Sequence, residues 1–216
     1  MRRVLIAAAL FAGTAGAAWA LPEGAELLVG EEASRSVTTQ AKYGDVQVHL
    51  EWKEPSYAKS QNHGYTRGRA RLSFGDFCSI ALHDSFGADA SVRPIPNPTA
   101  PDQIAGAVVS EHAPLVNASR TWEKWQSFDI VFRQPRWEGT NLVFKGEITV
   151  FLNGVLVQDK WCPQGGMSGR SRAVLRPPRS PKMKIVYSHM TPTVKIRNFW
   201  VKEIPAKEPE NGGKGK

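Results

Sequence analysis

Asp45-Val46-Gln47-Val48-His49-Leu50-Glu51-Trp52 is the stretch on which the fold turns. Val46, Val48, Leu50 and Trp52 alternate with Gln47, His49 and Glu51. That period of two marks a strand with one buried face and one face turned to solvent or a cleft. Toward the C-terminus, residues 53–75 are rich in Ser, Asn, Gly and Arg and read as a loop, residues 77–82 are apolar again, and Asp84-Ser85-Phe86-Gly87 has turn chemistry. Prolines between 94 and 101 mark a long loop. Alternation returns at 125–133, where Phe128, Ile130 and Phe132 stand opposite Ser127, Asp129 and Val131. Residues 147–152 and 155–158 flank Asn153-Gly154, a pair that tolerates positive φ at both positions of a type I′ turn and so predicts a hairpin. Strands at 183–187 and 194–204 complete the series. No helical periodicity and no internal repeat follow residue 20, so the pattern predicts a single all-β sandwich over residues 43–205.

Toward the N-terminus, residues 21–42 mix Gly, Glu, Ser and Thr with short apolar pieces and read as a lead-in carrying one short strand. Before them, Arg2-Arg3, an apolar run from Val4 to Ala12 and the triplet Ala18-Trp19-Ala20 have the order of a secretory signal cleaved after Ala20. Gly13 and Gly16 interrupt the run, which argues against a membrane-spanning helix of about 20 apolar residues. The expected location is therefore the periplasm or the exterior. The last residues, 206–216, are charged and Gly-rich, the composition of a disordered tail.

The chain has 216 residues and a formal net charge of +8; without Arg2 and Arg3, 26 basic side chains face 20 acidic ones. Arg170, Arg172, Arg176, Arg179, Lys182 and Lys184 form one basic stretch, but Pro177, Pro178 and Pro181 break any regular basic face, so nucleic acid is not the expected partner. Cys78 and Cys162 are the only cysteines. In an oxidising compartment they either pair, closing a long loop at a gain of about 4 kcal/mol, or stay free. Two cysteines make no metal site, and His49, Glu51 and His189 lack metal-ligand spacing, so neither metal nor cofactor is expected. Nothing in the sequence fixes the oligomeric state.

Residues 43–204 resemble the 3-keto-disaccharide hydrolase family. The resemblance rests on Leu50-Glu51-Trp52, Asn62-His63-Gly64, Asp84-Ser85-Phe86-Gly87, the run from Ala113 to Arg120, the run from Trp125 to Arg136, Asn153-Gly154-Val155 and Arg197-Asn198-Phe199-Trp200. It implies a concanavalin-like jelly roll and a carbohydrate partner oxidised at carbon 3. A ketone there acidifies the hydrogen on carbon 2, so a base can remove it and the group on carbon 1 can leave; water then adds back. Such a route needs a base, an acid for the leaving oxygen and a donor for the enolate.

The resemblance makes Glu51 a pocket residue, the base or a sugar ligand, with His49 two positions away on the same strand face. His189 falls near a family histidine and is the candidate acid or enolate donor. Asn62 and Arg67 fall where the family contacts sugar, and Asp84 is a further candidate for sugar hydroxyls. Trp137 and Trp161, in loop-like sequence, are candidates for sugar stacking, whereas Trp125 and Trp200 read as core. One departure stands out. Where the family carries a Glu and a Gln on the pocket face, this chain has Ser79 and Ala81, and a second family Gln corresponds to Tyr187. Those replacements leave a second reading open, a carbohydrate-binding or interaction module of the same fold without chemistry.

Overall fold

The alternating stretch at 45–52 forms β3 (Val46–Lys53), a central strand of a six-stranded antiparallel sheet. The computed structural model describes residues 21–54, 70–82, 85–86, 104–121, 123–164, 167–168, 171–172, 182–189 and 194–206. The expected signal at 1–20, all of the expected tail at 206–216 except Ala206, and the candidates Asn62, Arg67 and Asp84 lie outside them. In the large sheet, β1 (Ala25–Val29), β14 (Lys195–Glu203), β3, β6 (Gln126–Arg133), β9 (Glu147–Leu152) and β10 (Val155–Trp161) lie side by side in that order. A second sheet has the order β2 (Val37–Thr38), β13 (Ile185–Ser188), β4 (Ala70–Phe74), β5 (Cys78–Leu82). Two small hairpins, β7 (Arg136–Glu138) with β8 (Asn141–Phe144) and β11 (Met167–Ser168) with β12 (Ser171–Arg172), complete the strands. The described residues contain no helix.

The two sheets stack through their apolar faces, as sandwich sheets do. Val48 of β3 pairs with Val201 of β14 and Ile130 of β6, Ile130 pairs with Val150 of β9, and all four are fully buried. From the other sheet come Leu72, Phe74, Ile80, Ile185 and Tyr187, with Phe74 stacked on Phe132 at 4.9 Å. Each large side chain buried in this layer stabilises the fold by roughly 1.5–3 kcal/mol. What the core fixes is the opposite face. Because side chains alternate, burying Val48, Leu50 and Trp52 forces His49 and Glu51 outward.

Residues 104–115 close one side of the sandwich. Ala81 N donates to Ala107 O (3.0 Å) and Val109 N to Ser79 O (2.9 Å), extending the second sheet beyond β5, while Leu115 N donates to Val157 O (2.9 Å) on β10. The buried Gln158 donates through Nε2 to Gly106 O and Ala113 O, so both sheet edges are tied to one segment. At the β9–β10 turn Asn153 and Gly154 have φ of 54° and 81°, the geometry their sequence predicts. The Asn153 amide also bonds Ala118 O, Gln126 Oε1 and Ser127 N, locking the approach to β6 onto the hairpin.

Several elements depart from the sequence reading. Residues 21–42 are no mere lead-in: β1 and β2 add a strand to each sheet, and the Tyr43 hydroxyl donates to Glu26 to hold that segment down. The loop read at 53–75 ends in β4, whose alternation Ala70-Arg71-Leu72-Ser73-Phe74 is buried, exposed, buried, half-buried, buried. Neighbouring polar residues hid it. Cys78 and Cys162 are free thiols. Cys78 sits in the core, where burial and the nearby Glu111 charge push its pKa up, and Cys162 is half-buried after β10.

Candidate functional site

His49 and Glu51 stand on the face of β3 turned away from the second sheet, and strand register decides what surrounds them. His49 lies beside Asp129 of β6 on one side and Trp200 of β14 on the other; Glu51 lies between Ser127 and Arg197. His49 Nδ1 is 2.7 Å from Asp129 Oδ1, and its ring stacks on Trp200 with centroids 5.5 Å apart. Glu51 accepts from Arg197 Nε at 2.7 Å and from Asn198 Nδ2 at 2.8 Å, while His49 Nε2 is 3.9 Å from Glu51 Oε1. Both neighbours of Glu51 reach it because β14 bulges between Arg197 and Trp200, with Asn198 at φ 47°. The bulge places two consecutive side chains on one face. Arg197 also stacks over the Trp125 ring (4.0 Å), which Lys53 Nζ approaches at 4.5 Å.

Charge follows from this packing. Burial alone would lower the His49 pKa, but the bond to Asp129, the contact with Glu51 and both carboxylate charges outweigh it and raise it from 6.5 to about 9. Burial alone would raise Glu51, yet His49, Asn198 and Arg197 together lower it from 4.5 to about 2. At neutral pH the site is an imidazolium held between two carboxylates. Glu51 is therefore a weak proton acceptor, with both oxygens already engaged. Its oxygens hold Arg197 and Asn198 and face His49. The proton-bearing group is His49, and the carboxylate open to solvent is Asp129, whose side chain is 47% exposed.

The other expected residues fall elsewhere. His189 follows β13 in the second sheet, its ring 5.9 Å from that of Tyr187, and it is not among the partners of Glu51. Trp137 packs on Phe77 at 6.1 Å, against the core. Trp161 stacks on His112 at 3.9 Å, and its Nε1 is 3.4 Å from Glu111. Trp125 and Trp200, read as core, are instead on the site face. Ser79 and Ala81 point outward from the second sheet: the Ser79 hydroxyl pairs with Ser73 at 2.8 Å, and Ala81 is covered by Ala107 and Val109. Tyr187 points into the core, where burial and the Glu54 charge push its phenol pKa up; its hydroxyl has no hydrogen-bond partner. Ser79, Ala81 and Tyr187 thus share no pocket with Glu51, contrary to the sequence reading. Sequence reasoning passed over Asp129 as a partner because the β3–β6 register brings it to His49 from 80 positions away.

Among the described residues, no group of three or more His, Cys, Asp and Glu side chains could hold a metal ion, and no helix is long and apolar enough to cross a membrane. A family model described as 3-keto-alpha-glucoside-1,2-lyase-like domain matches residues 8–202. A Parabacteroides distasonis crystal structure assigned to the glycosyl hydrolases superposes with a TM-score of 0.64 at 22% identity, over 78% of this chain and 68% of that one. A second from the same organism gives 0.51 at 12% identity, over 84% and 89%. At these identities the likeness shows the fold, a jelly-roll sandwich. No curated protein matches the chain.

Proposed function

The chain belongs to the 3-keto-alpha-glucoside-1,2-lyase-like domain family, and on that premise we propose that it is an exported enzyme that cleaves 3-keto-glycosides by elimination and hydration. The observation that carries the reading is the placement of His49 on the outward face of the large sheet, with Nδ1 2.7 Å from Asp129 Oδ1 and Nε2 3.9 Å from Glu51 Oε1. Nε2–H donates to the carbon-3 ketone oxygen, which lowers the pKa of the hydrogen on carbon 2. Asp129 takes that proton. The C2–H electron pair becomes the enolate, then forms the C1–C2 double bond as the oxygen on carbon 1 leaves with its bonding pair and takes up the proton held by Asp129. Water adds to carbon 1 to give the hydrolysis product. Arg197, held by Glu51 through Nε and stacked over Trp125, supplies a second cation beside the developing oxyanion.

The assay is consumption of a 3-keto-disaccharide by the mature protein. His49→Gln, which keeps size but cannot carry charge, should lower kcat/KM by about 10²–10⁴. Because the active form of His49 is protonated, activity should fall as pH rises through about 9. A rate that rises through that range makes His49 the base and overturns its role as donor. A binding module without turnover is the second reading, favoured by Ser79 and Ala81 where the family carries Glu and Gln. Saturable binding with no consumption of the 3-keto-sugar at any pH would establish it.

A further inference from the structure

One row of side chains crosses the whole outer face of the large sheet through His49. Strand register places Leu156 beside Phe151, Phe151 beside Asp129, Asp129 beside His49, His49 beside Trp200 and Trp200 beside Leu27. Six strands contribute one residue each, so at about 4.8 Å per strand the row is about 24 Å long. That exceeds what one disaccharide covers. Its composition is unusual for an outer face: the polar pair His49–Asp129 sits in the middle, with Phe151 37% exposed on one side and Leu27 50% exposed beyond Trp200 on the other. The rows flanking it are mostly polar. Ser127, Glu51 and Arg197 lie along one side, and Thr149, Val131, Gln47 and Lys202 along the other.

We propose that this row is the track of an extended glycan, several sugar units long, that crosses the strands and brings one unit to His49. Pyranose rings have apolar faces and polar edges, and the row offers apolar contacts at intervals with hydrogen-bonding groups on both sides. A protein partner fits less well. The apolar strip is one residue wide, whereas protein interfaces have a broad apolar core inside their polar rim. The inference rests on the carbohydrate reading above and deepens it, naming oligosaccharides rather than disaccharides as the ligand class.

The test measures affinity by calorimetry for cellohexaose, maltohexaose and laminarihexaose and for their disaccharides, with the wild-type chain and with Phe151→Ala and Leu27→Ala. Both side chains are exposed, so neither variant should disturb the fold. At least one hexasaccharide should bind about tenfold or more tighter than its disaccharide, and Phe151→Ala should remove most of that gain. Equal affinity for both lengths in every series, no binding of any hexasaccharide, or a length gain that survives both substitutions would overturn the track. The two proposals fail separately. Turnover of a 3-keto-disaccharide with no length dependence keeps the chemistry and removes the track, whereas a length gain without turnover does the reverse.

Discussion

The outer faces of the two sheets differ in chemistry although the same alternation builds both. On the large sheet the outward positions are His49, Glu51, Asp129 and Arg197, tied into one charged cluster with two tryptophans over it. On the second sheet the outward positions include Ser73 and Ser79, a hydroxyl pair, Ala81, a methyl group with Ala107 and Val109 folded over it, and the exposed Arg71 beside Ala81. The first face holds groups close enough to raise the His49 pKa to about 9 and lower that of Glu51 to about 2. The second has no ionisable group at the positions where the resemblance expects a carboxylate and an amide. The proposed proton transfer is therefore assigned to the large sheet.

The contrast can be broken most sharply at Glu51. Glu51→Ala leaves His49 and Arg197 without their shared carboxylate, and the partial exposure of Arg197 sets the loss at the low end for a broken buried pair, about 3 kcal/mol by denaturant unfolding. The His49 pKa should fall below 9 in the same variant. A change within 0.5 kcal/mol, the size typical of surface sites, would make the cluster ornamental. pH sharpens the same point. His49, raised in the folded state, contributes stability that is complete below 6.5 and lost as pH rises through about 9. Glu51, lowered, contributes stability that is complete above 4.5 and lost as pH falls through about 2. The two shifts describe one set of contacts, worth at most about 3 kcal/mol. Urea midpoints across pH should therefore plateau between about 4.5 and 6.5, and His49→Gln should flatten the alkaline limb.

On the second sheet the expected effects are smaller and steric. Ala81→Gln, which restores the family residue, must push aside Ala107 and Val109 and should cost about 1–2 kcal/mol without adding activity. Ser79→Ala removes one partly buried hydroxyl pair and should cost less than about 1 kcal/mol. Loss of turnover in Ser79→Ala would move the active face to this sheet.

The sandwich was legible in the sequence wherever alternation was clean, as at Val46 to Trp52, at Phe128 to Phe132 and around Asn153-Gly154. It was hidden where strands are short or sit beside polar runs, as with β2 and β4. The site was half legible. His49 and Glu51 share a strand face by simple alternation, but Asp129 and Arg197 join them through register, which depends on contacts between distant segments and leaves no local mark. Trp200 was misread for a related reason: Phe199 takes the core position after the bulge, and a bulge inverts the alternation that the sequence suggests. Several residues that carry the family resemblance, Asn153, Gln126 and the segment around Ala118, hold the hairpin and its neighbouring loop together.

The most direct test maps a 3-keto-disaccharide onto the two faces by chemical-shift perturbation in the Glu51-intact His49→Gln variant, where turnover is slow enough for the complex to persist. Shifts concentrated at Asp129, Arg197, Trp200 and Ser127 are the predicted result. Shifts concentrated at Ser73, Ser79 and Ser188, with the large sheet unmoved, would contradict the assignment.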